Sequence, residues 1–276
     1  MDSKQQIIAK LKALTSKEYV EIVARGNAAI KSALKVVNEG SLVLIPEEGG
    51  WLTYPTYPPK LKLELNEVRC VDAVLDLVDL KRKIKTADML LYANPGGYHA
   101  EQPMEEIYQI CQSNDCLVVM DVAGGIGTKL CDGRYADIVI GSFGRWKPIN
   151  AYVGGFVSTN KTDLYERMKS SFKLLDGEDN FQAILEKING LDRRIEYLLE
   201  RRKKVIADLE KQGLGDKIIN KDHLGFVVVV DYDNEQEKEK LINYCDGSKL
   251  EYTKCPRYIR INKKAISIEI KKLESE

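Results

Sequence analysis

Histidine is scarce in this chain, because its 276 residues include only His99 and His223. A metal centre built from histidines is therefore not expected, and a Ser-His-Asp triad would have to use one of these two. The six cysteines contain no CxxC pair and no metal-ligand spacing. Such cysteines are typical of small buried side chains in a reducing compartment. We predict no metal site.

Net charge is also absent, because 42 basic residues balance 42 acidic ones. This balance favours neither a nucleic acid nor an anionic membrane as a partner. Long apolar runs are missing as well, and the run at residues 226–230 is far too short to span a bilayer. The N-terminus is amphipathic and has no signal-peptide apolar core. We therefore expect a cytoplasmic protein with no nucleic-acid or membrane partner.

Helical and strand-like patterns alternate along the first 150 residues. Apolar positions recur at helical spacing in residues 5–17, and short apolar runs at 42–45, 89–93, 117–120 and 138–140 indicate buried strands. The alternation predicts an α/β fold with a mainly parallel sheet covered on both faces. The other predicted elements are strands at 60–65, 156–158, 226–231 and 257–261, and helices at 26–37, 71–84, 104–114, 161–174, 181–211, 235–245 and 265–273. In the helical segment 181–211, Asn189-Gly190 is a candidate kink.

Several chemically useful side chains come at or near the ends of these strands or at the start of the next helix. In parallel sheets, ligands bind at the carboxyl ends of the strands, so these residues are expected in one layer. Taken alone, each has a plainer explanation, such as a turn-forming acid, a surface lysine or an ordinary helix start. The residues are Asn27, Trp51, Asn94, Asp121, Ser142 and Lys147.

Asp121 and Lys147 suggest the ligand. A buried carboxylate can keep a pyridine nitrogen protonated, and a partly desolvated lysine can attack an aldehyde. Pyridoxal phosphate (PLP) carries both groups, so we predict PLP as cofactor, with Lys147 as its Schiff-base lysine and Asp121 at the ring nitrogen. Both would be the catalytic residues.

The phosphate and the ring of PLP need further contacts. A Gly-Asn turn that opens a helix offers free N–H groups to a phosphate, so we assign Gly26, Asn27 and Ala28, together with Ser142, to cofactor binding. A flat side chain after a strand can stack on the ring. We assign this to Trp51 or, as the alternative, Tyr54.

The pattern of residues 20–210 resembles that of fold type I PLP enzymes, and most closely that of the DegT/DnrJ/EryC1 aminotransferases. The resemblance implies a three-layer α/β sandwich with a small α+β C-terminal domain, and a homodimer with shared active sites. The chain departs from the family pattern at Asn27, where a Thr or Ser is usual, and at Gly124, where a Gln or His is common. The matching motifs are Gly26-Asn27-Ala28-Ala29-Ile30, Asp121-Val122-Ala123 with Gly127, Ser142-Phe143, Lys147, Gly154-Gly155, Phe181-Gln182-Ala183, and Leu191-Asp192 before Arg201-Arg202.

The resemblance also implies further roles. Ala123 and Asn94 would contact the cofactor, with Asn94 near its O3′ side. Arg260 lies in a segment similar to other fold type I branches, where such an arginine binds the substrate carboxylate, although a salt bridge would explain it equally. Tyr54 is assigned to the substrate as well. The large domain would span residues 1–165, with the helix at 1–17 packed on the small domain, and residues 166–276 would form a long interdomain helix and the small domain.

The predicted activity is amino transfer with an amino-acid or amino-sugar substrate. One alternative is a PLP lyase or desulfurase, for which Cys255 would be the thiol. The other is a catalytically silent PLP-fold protein with a binding or regulatory function.

Overall fold

A computed structural model describes residues 2–274 of the chain. Its helices are α1 (Ser3–Thr15), α2 (Gly26–Leu34), α3 (Tyr57–Lys60), α4 (Leu77–Lys83), α5 (Met104–Gln112), α6 (Thr162–Lys169), α7 (Glu178–Asn189), α8 (Leu191–Lys211) and α9 (Glu235–Gly247). Its strands are β1 (Tyr19–Val23), β2 (Leu42–Pro46), β3 (Glu64–Val68), β4 (Cys70–Val71), β5 (Val74–Leu75), β6 (Met89–Ala93), β7 (Leu117–Asp121), β8 (Ile138–Ser142), β9 (Gly155–Thr159), β10 (Ile218–Ile219), β11 (Val228–Asp231), β12 (Tyr252–Cys255) and β13 (Ala265–Ile268).

The large sheet has seven strands in the order β1-β9-β8-β7-β6-β2-β3. Only β9 runs against its neighbours, and the other pairs are parallel. Strands of such sheets are apolar throughout, because helices cover both faces. In β6, Leu90 and Tyr92 join the hydrophobic cluster on one face, and Met89 and Leu91 join the cluster on the other. The predicted three-layer α/β fold is therefore confirmed.

The register of the parallel strands brings the functional segments together. Ala93 pairs with Asp121, and Asp121 pairs with Ile140, so β6, β7 and β8 end at one edge of the sheet. Helix α2 packs on β8 and β9, and Gly26 at its start packs on Ser142 at the end of β8, so the N-terminus of α2 lies at the same edge. The loops that follow these strands therefore surround a common space.

The C-terminal part of the chain forms a four-stranded antiparallel sheet in the order β10-β11-β13-β12. Two predictions are wrong here. Residues 265–273, predicted as a helix, form β13 and one 3-10 turn, and residues 257–261, predicted as a strand, form a turn. The segment Ala265-Ile266-Ser267-Ile268 pairs with both β11 and β12, and all four of its side chains are buried.

Other differences from the predictions are local. The region 71–84 was expected to be one helix, but its first part forms the hairpin β4–β5, and α4 begins only after Asp76, whose carboxylate caps it. Strand β1 was not predicted at all. The helical segment expected at 181–211 is two helices that meet at Gly190, the position of the candidate kink. Helix α1 packs against α7 and β1.

No helix within residues 2–274 combines the length and the apolar character needed to cross a bilayer. Helix α8 is long, but charged residues cover much of its surface.

Candidate active site

A cavity of about 250 Å³ opens at the carboxyl edge of the large sheet. Five regions of the chain line it: the start of α2, the loop after β2, the ends of β6 to β8 with the turns that follow them, the loop between β8 and β9, and Ile259 in the turn between β12 and β13. The predicted residues among its lining are Gly26, Asn27, Trp51, Tyr54, Asp121, Ala123, Ser142 and Lys147. Segments that are distant in sequence thus converge on one space.

Asp121 lies at the floor of this cavity with 9% of its surface exposed. The Tyr54 hydroxyl donates a hydrogen bond to Oδ2 at 2.9 Å, and the Ala123 N–H donates one to Oδ1 at 2.9 Å. Burial raises the pKa of the carboxyl, whereas the charge of Lys147 and these two hydrogen bonds lower it, with a net increase. Each oxygen keeps a further lone pair for a donor in the cavity.

Lys147 reaches into the same cavity from the loop after β8. Its Nζ forms a hydrogen bond with the Tyr98 hydroxyl and lies 4.9 Å from the centre of the Trp51 ring. Burial lowers the pKa of this amine to about 8, although Asp121 opposes the change, and Arg260 lowers it further. A substantial fraction of the amine is therefore neutral near pH 8, as nucleophilic attack requires.

The start of α2 forms another wall of the cavity. No side chain caps the first turn of this helix, and Gly26 and Asn27 in that turn line the cavity. Gly26 packs so closely on Ser142 that an added Cβ would lie 2.6 Å from the Ser142 Cβ. Asn27 Oδ1 accepts a hydrogen bond from the Trp51 indole N–H at 2.9 Å, which fixes the indole ring.

These groups fit PLP. A helix N-terminus with a neighbouring hydroxyl suits a phosphate, and a buried carboxylate suits a pyridine nitrogen. An indole on the cavity wall suits the ring face, and a desolvated amine suits the aldehyde.

Three predicted cofactor or substrate residues lie outside the lining of the cavity. Ala28 lines a neighbouring surface groove. Asn94 is fully buried, its amide donates to Leu130 O at 3.0 Å, and its Oδ1 accepts from the Gln102 N–H at 3.1 Å. The residues on either side of Asn94, Ala93 and Pro95, line the cavity instead.

Arg260 is the third predicted residue that lies outside the lining of the cavity. Only 2% of it is exposed, and its guanidinium makes an ion pair with both carboxylate oxygens of Glu269, at 2.9 and 2.6 Å from Nη2. Its Nε also donates to Ser267 Oγ at 3.1 Å. The salt bridge considered for Arg260 is thus formed, inside the small domain.

Tyr54 and Tyr98 have positions that the sequence did not indicate. Tyr54 lines the cavity, and its hydroxyl donates a hydrogen bond to the Asp121 carboxylate. Tyr98, which was not among the predicted site residues, lines the cavity and contacts Lys147. Its position in the turn that follows β6, at the same edge as Asp121, was the signal that could have identified it.

The DegT/DnrJ/EryC1/StrS aminotransferase family model matches residues 4–198, which is most of the chain. The chain belongs to this family. It is a PLP-dependent transferase of the aminotransferase type, as predicted. A second match, to the MJ1341 family C-terminal domain, covers residues 195–276. Among curated proteins, none matches the sequence.

Solved structures share the fold across nearly the whole chain. Histidinol-phosphate aminotransferase from Clostridium acetobutylicum has a TM-score of 0.74 at 13% identity, covering 97% of this chain and 84% of its own. An aminotransferase from Staphylococcus aureus has a TM-score of 0.74 at 17% sequence identity, and the match covers 99% of this chain and 79% of that one. NtdA from Bacillus subtilis, with bound cofactor PMP, has a TM-score of 0.75 at 17% sequence identity, and the match covers 98% of this chain and 73% of that one. At such identities the likeness establishes the fold.

Proposed function

We propose that this family member transfers an amino group from a small amino-acid or amino-sugar substrate, with Lys147 and Asp121 as its catalytic residues. One observation carries the proposal: a buried carboxylate and a desolvated amine line the same cavity from two different strand ends.

When bound, PLP supplies an electron sink for the bond that breaks at the substrate Cα. Lys147 would hold the cofactor and carry the proton removed from Cα, since a pKa of about 8 leaves a substantial fraction of its amine neutral near pH 8. Asp121 would accept a hydrogen bond from the ring nitrogen and keep that nitrogen protonated. Tyr54 and the Ala123 N–H would hold its carboxylate in position.

The remaining lining residues would bind the cofactor without taking part in proton transfer. The first N–H groups of α2, at Gly26 and Asn27, and the hydroxyl of Ser142 would bind the phosphate. Trp51, fixed by Asn27, would cover one face of the ring. For Arg260 to bind a substrate carboxylate, its guanidinium would have to exchange Glu269 for that ligand.

We further propose a homodimer that shares its active sites. Two large apolar side chains stay exposed beside the cavity, which supports a second copy covering its mouth: Leu52, next to Trp51, is 50% exposed and Tyr152, in the lining, is 57% exposed. A cytoplasmic location is proposed from the six cysteines, all of which are free thiols.

Absorbance spectroscopy of the purified protein titrated with PLP tests the function. Wild type should develop a visible band of bound PLP that Lys147→Ala lacks, while Lys129→Ala, which changes an exposed lysine paired with Glu101, should keep it. Asp121→Asn should keep the band but lose most of the amino transfer.

A panel of L-amino acids then separates the reactions. Conversion of the band to that of the pyridoxamine form supports a transferase, whereas release of the substrate's substituent with the band retained supports the lyase alternative. A wild type that binds no PLP, or a Lys147→Ala variant with an unchanged band, would contradict the proposal.

A further inference from the structure

Tyr98 is placed against the one amine that the proposed function uses. Its side chain lines the cavity, and its hydroxyl forms a hydrogen bond with Lys147 Nζ. The centre of its ring lies 4.8 Å from the same Nζ. This side chain comes from the turn after β6, so it approaches Lys147 from a different strand end than Asp121 does.

The surroundings hold Tyr98 firmly in this position. On one side, the ring packs on Gly124 so closely that an added Cβ there would lie 2.9 Å from two ring carbons. On another, Lys271 Nζ and Arg260 Cζ lie 4.7 and 5.2 Å from the ring centre. The Tyr98 carbonyl accepts a hydrogen bond from the Phe226 N–H at 2.8 Å. The phenol therefore has little freedom to leave Lys147.

The phenol stays protonated in this environment. Burial raises the pKa of Tyr98, although Lys271 and Arg260 act in the opposite direction. A neutral phenol can both donate and accept a hydrogen bond. It can therefore donate to Lys147 when the amine is neutral and accept from it when the amine carries a proton.

We propose that Tyr98 is a positioning residue for the reaction, whose hydroxyl holds the Lys147 nitrogen on the substrate side of the cavity in both of its protonation states. This inference rests on the proposed role of Lys147. The proton itself passes between the substrate Cα and Lys147 Nζ, and Tyr98 only rotates its O–H as the nitrogen gains or loses that proton.

The charged and titratable groups that face Lys147 are Asp121, Tyr98, Arg260 and Lys271. Among them, Tyr98 alone can reverse the direction of its hydrogen bond without changing charge. Hydrogen bonds to an ionised group are stronger than those between neutral groups, so the phenol favours the protonated nitrogen. Loss of the hydroxyl should therefore make this nitrogen easier to deprotonate.

The test compares Tyr98→Phe with a matched control, Tyr92→Phe. Both changes remove one phenol oxygen, but the Tyr92 hydroxyl is buried in the sheet and has no hydrogen-bond partner among the described residues. The first readout needs no substrate: the visible band of bound PLP is followed against pH. In Tyr98→Phe its midpoint should fall by roughly half to one pH unit, and in Tyr92→Phe it should not move.

The second readout is the single-turnover rate with the L-amino acid that wild type converts fastest, with and without deuterium at Cα. Tyr98→Phe should bind PLP with unchanged affinity and react roughly ten- to a hundredfold more slowly, with a larger isotope effect. If Tyr98→Phe reacted at the wild-type rate with the wild-type midpoint, the proposed role of Tyr98 would be wrong. The same conclusion would follow if Tyr98→Phe lost PLP affinity without a change in midpoint. Neither result would affect the role of Lys147, which depends on Lys147→Ala.

Discussion

Replacing Glu269 by glutamine should lower the free energy of unfolding by about 3 kcal/mol. The Glu269 carboxylate is 1% exposed and lies between Arg260, at 2.6 Å, and Lys271, at 3.3 Å. Burial by itself would raise the pKa of this carboxyl, but the two cations outweigh it and lower the pKa to about 2. In the variant, the Arg260 guanidinium would stay buried without its counter-charge.

The magnitude follows from the pKa. Each pKa unit corresponds to about 1.4 kcal/mol, so a fall from 4.5 to about 2 corresponds to about 3 kcal/mol in favour of the folded state. Breaking a buried ion pair by removing one partner costs a similar amount. Because the pKa is lowered in the folded state, the contribution is fully present above pH 4.5 and disappears as the pH falls through 2.

Urea denaturation followed by circular dichroism measures this difference between wild type and Glu269→Gln. It should be largest at pH 7 and shrink as the pH is lowered from 4.5 towards 2. The control is Glu251→Gln, since Glu251 pairs with Lys272 at 2.6 Å in the same region but is 64% exposed. This variant should lose less than about 1 kcal/mol in its free energy of unfolding. If both variants lose the same stability, or if the difference does not depend on pH, the reasoning about the buried pair is wrong.

Two further predictions concern the cavity, and a third concerns Cys255. Gly26→Ala should weaken PLP affinity at least about tenfold, because its Cβ would displace Ser142, and an unchanged PLP titration would contradict this. Tyr54→Phe removes a hydrogen bond that lowers the pKa of Asp121, so the acidic limb of the pH–rate profile should move to higher pH; an unmoved limb would refute the link. Cys255→Ser should leave the transfer rate within about twofold, because this thiol is 5% exposed and burial raises its pKa. A large loss would instead revive the desulfurase alternative.

Much of the fold could be predicted from local pattern. Short apolar runs predicted the central strands with bounds close to those observed, as at Met89–Ala93. The prediction failed where local pattern was ambiguous: residues 265–268 are apolar enough for either state, and only their pairing with β11 and β12 makes them a strand. The domain boundary, the roles of the site residues, the dimer and the compartment stay predictions.

By itself, the sequence determined which residues would gather at one edge of the sheet. In parallel strands the chain order fixes the edge at which each strand ends, so Asp121 and Lys147 could be placed in one cavity without a structure. Only the tertiary structure decided where the individual side chains point. Asn94 turns away to Leu130 and Gln102, Arg260 pairs with Glu269, and Tyr98 contacts Lys147. A buried polar group takes the partner that folding brings within reach, and that partner lies elsewhere in the chain.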